Sequence, residues 1–152
     1  MHIPDGYLGP YTYIAMWIIM IPIWYYAGNR LSRELRSKQV PLLALAAAFS
    51  FVIMMFNIPI PGGSTGHAVG AAIIGIVLGP WAGVIAISVA LVLQALMFGD
   101  GGITAIAANC FNMGVVMPFA AYYVYRLISG NTDVTSSRRA IGAAIAGYVS
   151  LI

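Results

Sequence analysis

The chain contains two histidines, and both lie in segments that could hold a metal ion. His2 is the second residue, and His67 follows a stretch rich in glycine and proline at 57–66. Three nitrogens are available at the chain start: the α-amine of Met1, the deprotonated main-chain amide of His2 and its ring Nδ1. They close fused five- and six-membered chelate rings around one ion, and the planar peptide unit keeps them in one plane. The α-amine has an ordinary pKa of about 8, so binding near neutral pH displaces a weakly held proton.

His67 can supply a fourth nitrogen to this chelate. We expect Met1 to be retained, because the bulky second residue hinders its removal. Four nitrogens in a plane favour Cu(II) or Ni(II) over Mg²⁺, and tetrahedral zinc would not use a deprotonated amide. Copper is favoured by raw affinity and cobalt also fits, so the residues alone leave the metal open.

Other interpretations of these residues stand beside metal binding. A terminal histidine is often only exposed, and a histidine at a span boundary is often an interfacial hydrogen-bonding residue. An intramembrane hydrolase using Ser64 and His67 is a second alternative, although a tight loop explains Gly-Ser-Thr-Gly and no orienting acid is evident nearby. A structural membrane protein with incidental histidines is a third.

The composition shows what kind of scaffold positions these residues. Of 152 residues, 61% are hydrophobic and 7% are charged, whereas an ordinary soluble domain carries about 25% charged residues. This excludes a soluble enzyme and a disordered chain, and seven cations are too few for a nucleic-acid surface. The chain is therefore predicted to be all-α, a polytopic membrane bundle forming a single domain over 1–152.

Apolar runs predict about six spans, each near the length that crosses a bilayer. A tight turn at Gly79-Pro80 separates two of them, and the 57–66 loop cannot be a regular helix. The last run stops after 13 residues, which predicts a C-terminally incomplete domain. The predicted spans are 11–27, 42–56, 67–78, 81–98, 104–125 and a run from Ala140.

Charge placement predicts the orientation. All seven Lys and Arg residues fall in the two segments 28–40 and 126–139, which six spans place on one side. The positive-inside rule makes that side cytoplasmic and puts the N-terminus outside, in the cell membrane. The outer segments hold both histidines and two aspartates without Lys or Arg, a composition that favours capture of a cation.

Several polar residues are candidates to support the metal ligands. The alternatives for them are hydrogen bonds between helices and, for Asp100, a role in its turn. A separate pair of alanines has small-xxx-small spacing and could form a close contact with another helix or subunit. The supporting candidates are Asp5, Ser64, Thr65, Gln94, Asp100, Asn109 and Asn112, and the alanines are Ala44 and Ala48.

Several motifs occur in an order that resembles the CbiM/NikM family, the substrate-binding (S) membrane components of energy-coupling-factor (ECF) transporters for cobalt and nickel. The resemblance covers residues 1 to about 117. The motifs are Met-His-Ile-Pro-Asp-Gly at the start, Asn-Ile-Pro-Ile-Pro-Gly-Gly-Ser-Thr-Gly-His at 57–67, Leu-Gly-Pro-Trp-Ala at 78–82, Gln-Ala-Leu-Met-Phe-Gly-Asp-Gly-Gly at 94–102 and Asn-Cys-Phe-Asn-Met at 109–113.

The resemblance implies a bundle of seven helices and a substrate, Ni(II) or Co(II), held by the Met1 amine, the His2 amide and ring, and the His67 ring. It implies a transporter subunit rather than an enzyme. The implied partners are a transmembrane coupling protein, a pair of cytoplasmic ATPases and often a small accessory membrane subunit. The chain itself has no Gly-x-x-x-x-Gly-Lys-Ser/Thr phosphate loop. By analogy, Ala44 and Ala48 would face the coupling protein.

Overall fold

The structure is a computed structural model that describes residues 2–34, 39–61, 64–130, 132–133 and 135–151. Within these residues α-helices dominate, and a short β-hairpin and a π-helix interrupt them. In chain order the elements are α1 (Pro10–Glu34), α2 (Val40–Met54), β1 (Ile58–Ile60), β2 (Ser64–Gly66), α3 (Ala71–Leu78), α4 (Pro80–Phe98), α5 (Ile106–Asn109), the π-helix (Cys110–Val116), α6 (Met117–Ser129) and α7 (Ser137–Val149).

The first helix is longer than its apolar run predicts. We expected it to end near residue 27, but α1 continues to Glu34. Arg30 and Glu34 form a pair at 2.7 Å with i, i+4 spacing, which supports the last turn. Arg36 and Lys38, two of the predicted cytoplasmic cations, lie outside the described residues.

The segment before α3 departs from the prediction in two ways. The stretch 57–66 contains an antiparallel hairpin in which Ile58 pairs with Gly66, so the bundle is not purely α-helical. His67 does not begin a helix: α3 begins at Ala71, after Gly70 with φ of +78°. The extended hairpin and this left-handed residue leave His67 in irregular chain, where its position depends on tertiary contacts.

A turn and a proline position the middle of the bundle. The predicted turn between α3 and α4 is confirmed, and Gly79 adopts φ of +92° there. The run 104–125 was predicted as one span; residues 106–129 form one continuous helical segment, in which the π-helix lies between α5 and α6. Pro118 lacks an amide hydrogen, so one main-chain i→i−4 hydrogen bond of a regular α-helix cannot form just after the π-helix. A Cβ on Gly75 or Gly83 would lie 2.6 Å from Pro118 atoms, so α3, α4 and α6 approach closely here.

The core lies around α4. Met20, Met54 and Ile87 are fully buried there. Among the described helices, α4 alone is long and apolar enough to cross a membrane by length and composition, with a mean hydropathy of 2.2. The helical fold class is thus confirmed, while the number of spans and their orientation stay predictions.

Candidate metal centre

Three segments that are distant in the sequence meet at one end of the bundle. They are the N-terminal arm (residues 2–5), the His67 segment (67–70) and the α4–α5 loop (99–105). The rings of His2 and His67 are in contact, with centroids 5.0 Å apart and a 56° angle between their planes. The fold therefore brings together two imidazoles that are 65 positions apart, as the metal hypothesis requires.

The ring of His67 has one engaged nitrogen and one unengaged nitrogen. Its Nδ1 lies 3.3 Å from the main-chain oxygen of Ala68. Because a carbonyl only accepts hydrogen bonds, this contact places the ring proton on Nδ1. Nε2 is buried without a hydrogen-bond partner in the described structure. This tautomer leaves the Nε2 lone pair available to a metal ion.

The ring of His2 contacts a carboxylate. Its side chain is only 1% exposed, and Nδ1 lies 3.0 Å from Oδ1 of Asp100, whose side chain is 36% exposed. Burial lowers the pKa of His2 despite this carboxylate. Burial also lowers the pKa of His67. Burial thus favours the neutral form of both rings, the form in which imidazole binds metals.

Asn109 holds the N-terminal arm through the main chain of Ile3. The Ile3 amide donates to Asn109 Oδ1 at 2.9 Å, and Asn109 Nδ2 donates to the Ile3 oxygen at 3.1 Å. The same oxygen accepts the Gly102 amide at 2.9 Å. Asn109 is 4% exposed, so these bonds are shielded from water and fix the residue directly after His2.

Asp5 forms a second attachment of the arm. Its carboxylate accepts the Ile103 amide at 3.0 Å, the Thr104 amide at 2.9 Å and the Thr104 hydroxyl at 2.5 Å. The hydrogen bonds from Thr104 are the main reason that the pKa of Asp5 is lowered. A Cβ on Gly102 would lie 2.7 Å from the carbonyl carbon of Pro4 and would collide with the Asp5 amide. Only glycine allows the arm and the loop to lie so close.

The other predicted supporting residues lie in different surroundings. Gln94 is fully buried and donates from Nε2 to the main-chain oxygen of Phe51 at 3.2 Å. Asn112 is exposed, and both it and Asn109 line a cavity of about 200 Å³ beside Ile3. Thr65 is exposed on β2.

Met1 and the side chain of Ser64 lie outside the described part of the structure. The main chain of Ser64 pairs with Ile60. Ala44 and Ala48 are exposed on α2. They belong to a separate surface.

Ser50 was not among the residues predicted from the sequence. This residue of α2 is fully buried and donates to the main-chain oxygen of Val69 at 2.5 Å, two residues after His67. A serine among alanines and leucines was the available signal, since an unpaired hydroxyl is costly in an apolar helix.

Side chains alone do not complete a metal site in the described part of the chain. No three His, Cys, Asp or Glu side chains are grouped there so as to hold an ion. The described residues bring together two imidazoles and, beside His2, the carboxylate of Asp100. Imidazole nitrogens suit a transition-metal ion.

Comparison with known proteins identifies the family. The profile of CbiM, the cobalt uptake substrate-specific transmembrane region, matches residues 2–152. The chain belongs to the CbiM family. The family is one of transporter components, so the prediction of a transporter subunit rather than an enzyme is confirmed.

Individual relatives of the chain are named as metal transport proteins. The fused nickel transport protein NikMN of Rhodobacter capsulatus is 55% identical over 99% of this chain and 44% of its own length. A putative metal transport protein of Methanocaldococcus jannaschii is 50% identical over 100% of this chain and 66% of its own length. A crystal structure of a truncated transition metal transporter superposes with a TM-score of 0.89 at 46% identity, covering 99% of this chain and 69% of that one. The chain thus spans about half to two thirds of these curated relatives.

Proposed function

We propose that this protein captures Ni(II) or Co(II) as its transported substrate through four nitrogens. These are the Met1 amine, the His2 amide, His2 Nδ1 and His67 Nε2. The observation that carries the proposal is the pair of buried imidazoles with ring centroids 5.0 Å apart. His67 contributes Nε2 because Nδ1 contacts the Ala68 carbonyl.

Asp100 completes the charge balance of this site. Its carboxylate lies on His2 Nδ1 at 3.0 Å, so the ion must replace that contact in order to bind Nδ1. A divalent ion with one deprotonated amide carries a single net positive charge. One neighbouring carboxylate neutralises it, which favours binding where water is scarce.

Extension of the chain by one residue before Met1 tests the four-nitrogen chelate. The extension moves the free amine out of the chelate ring, and we expect loss of stoichiometric Ni(II) binding in titrations of purified protein. A single residue added after Ile152 is the matched control. Wild-type affinity in the N-terminally extended protein would contradict the chelate and favour an ion held by the two Nε2 atoms alone.

Competition among Ni(II), Co(II) and Cu(II) tests the substrate. Planar nitrogen donors favour nickel and copper, and the nickel transport relative supports nickel. We expect Ni(II) to give the absorption of a square-planar complex. An octahedral Ni(II) spectrum at saturation would argue against four coplanar nitrogens.

We further propose that the site faces outward from the cell membrane in a chain of six spans. The proposal rests on charge placement: Arg30 and Arg126 lie near helix ends remote from His2 and His67, and cations mark the cytoplasmic side. Single cysteines at Thr65 and at Leu127, in a Cys110→Ala background, test it. Only the first should react with an impermeant thiol reagent added to intact cells.

We propose that transport requires an ECF module, with a coupling protein, two ATPases and, in some systems, an accessory membrane subunit. The exposed Ala44 and Ala48 on α2 support a docking face for the coupling protein, because small residues permit close helix approach. Ala48→Leu should abolish uptake and co-purification with the coupling protein while leaving Ni(II) affinity unchanged. Ala72→Leu, on α3, is a control.

A further inference from the structure

The helix that carries the proposed docking face also holds the His67 segment. Ser50 of α2 is fully buried and donates from Oγ to the Val69 oxygen at 2.5 Å. One residue earlier, the Phe49 ring packs on Gly70, where a Cβ would lie 3.0 Å from Phe49 Cε1. These two contacts attach both residues at the end of the His67 segment to adjacent positions of α2.

A second path leads from the same turn of α2 to His2. The main-chain oxygen of Phe51 accepts Gln94 Nε2 at 3.2 Å. The main-chain oxygen of Gln94 in turn accepts the Asp100 amide at 3.2 Å and the Gly99 amide. The loop that begins there holds the N-terminal arm, because the Gly102 amide donates to the Ile3 oxygen at 2.9 Å. The start of this loop is therefore held by a fully buried glutamine bound to α2.

We propose that residues 49–51 of α2 set the relative position of the two histidines, with Ser50 and Gln94 as positioning residues. Ser50 acts on His67 through Val69, and Gln94 acts on His2 through the α4–α5 loop, which holds the N-terminal arm. The inference deepens the proposed function and rests on it. It adds a means of control, because one turn of one helix is connected to both imidazoles.

The buried and exposed faces of α2 indicate how a partner would act on the metal site. Ser50 points into the protein, whereas Ala44 and Ala48 are exposed on α2. A partner that shifts α2 moves the Val69 and Gln94 contacts together, because a helix turn moves as a rigid unit. Planar coordination has a narrow geometric optimum, so such a shift weakens the site and promotes release of the ion.

Ser50→Ala tests the first path. It leaves the Val69 oxygen without its partner, and we expect Ni(II) affinity to fall about tenfold, which corresponds to a buried hydrogen bond of typical strength. The increase in Tm produced by saturating Ni(II) should shrink as well. Ser50→Thr keeps the hydroxyl and should restore both values.

Ser88→Ala is the matched control. Ser88 is also a buried serine, whose Oγ accepts from Trp24 Nε1 at 2.8 Å and also bonds the Cys110 thiol. Its loss should lower the Tm without Ni(II) and leave the Ni(II)-induced increase unchanged. A general packing defect would make the two serine variants behave alike, and that result would overturn the proposal.

Gln94→Met tests the second path independently of Ser50. We expect a similar loss of Ni(II) affinity and a changed Ni(II) absorption spectrum. Wild-type affinity in both Ser50→Ala and Gln94→Met would refute the inference while leaving the proposed function intact. Failure of the wild-type protein to bind Ni(II) or Co(II) would refute the proposed function itself.

Discussion

The two ends of the bundle treat their polar groups in opposite ways. At the end that holds the proposed metal site (the metal end), His2, His67 and Asn109 are buried and make few, defined contacts. At the other end, Arg30 lies 5.7 Å from the centre of the Trp81 ring, and Arg126 lies 5.5 Å from that of Tyr122. Both guanidinium groups remain in contact with water, so their positions are less constrained.

The difference shows at which end the contacts fix the positions of the polar groups. An exposed ion pair or cation–π contact contributes about 0–1 kcal/mol. A buried main-chain group that loses its partner costs about 1–3 kcal/mol. Substitutions at the metal end should therefore change ion binding strongly, whereas those at the other end should leave it unchanged.

Gly102→Ala should produce the largest effect. The new methyl group would collide with the main chain at Pro4 and Asp5, which forces the N-terminal arm away from the loop. We expect Ni(II) affinity to fall by about 100-fold or more, since overpacking costs about 1–3 kcal/mol and also displaces a ligand. Gly9→Ala, where a Cβ has open space and the backbone is not left-handed, is the control for the clash. Equal affinity in wild type and Gly102→Ala would show that the arm does not need this approach.

Asn109→Leu should follow in size. The Ile3 amide loses its acceptor, while the Ile3 oxygen keeps the Gly102 amide. We expect Ni(II) affinity to fall about tenfold, which corresponds to one unsatisfied buried donor. Asn112→Leu, at an exposed position of the same segment, should have little effect in the same titration.

Asp5→Asn should have a smaller, pH-dependent effect. Hydrogen bonds lower the pKa of Asp5 from its ordinary value of 3.8, so its charged form stabilises the folded arm above that value. This contribution is lost as pH falls through the lowered pKa of the folded state. The Tm difference between wild type and Asp5→Asn should therefore be largest near neutral pH and vanish in acid. A difference that grows on acidification would contradict the assignment.

Arg30→Gln should have the smallest effect. Arg30 pairs with Glu34 at 2.7 Å, but both side chains are substantially exposed. We expect no resolvable change in the free energy of unfolding, because water screens an exposed pair, and no change in Ni(II) affinity. A clear loss of affinity in titrations of this variant would show that the two ends are coupled and would remove the contrast.

The sequence predicted the parts of the fold that depend on local rules. Gly79-Pro80 combines a residue that adopts positive φ with one that begins helices, and the turn lies there. The π-helix was missed because its shifted hydrogen bonds have no hydrophobic period of their own. The hairpin at 58–66 was missed because proline and glycine indicated only a break in the helix.

The two histidines could be chosen from the sequence because residue type and exclusion of Lys and Arg from the outer segments both singled them out. The contacts that position them could not. Asn109 binds the main chain of a residue 106 positions away, and Ser50 binds a carbonyl rather than a side chain. Every residue has a main-chain carbonyl, so residue type does not indicate which one a side chain binds. These contacts are therefore seen only in the folded chain.

The bonds between Asn109 and Ile3 impose an unusual kind of constraint on mutation. Both bonds involve the peptide groups of residue 3 and neither involves its side chain. Valine or leucine at this position can therefore present the same amide and carbonyl. An insertion or deletion between His2 and Ile3 changes which residue stands beside the loop. Random codon changes at position 3 should thus be tolerated far more often than a gain or loss of one codon.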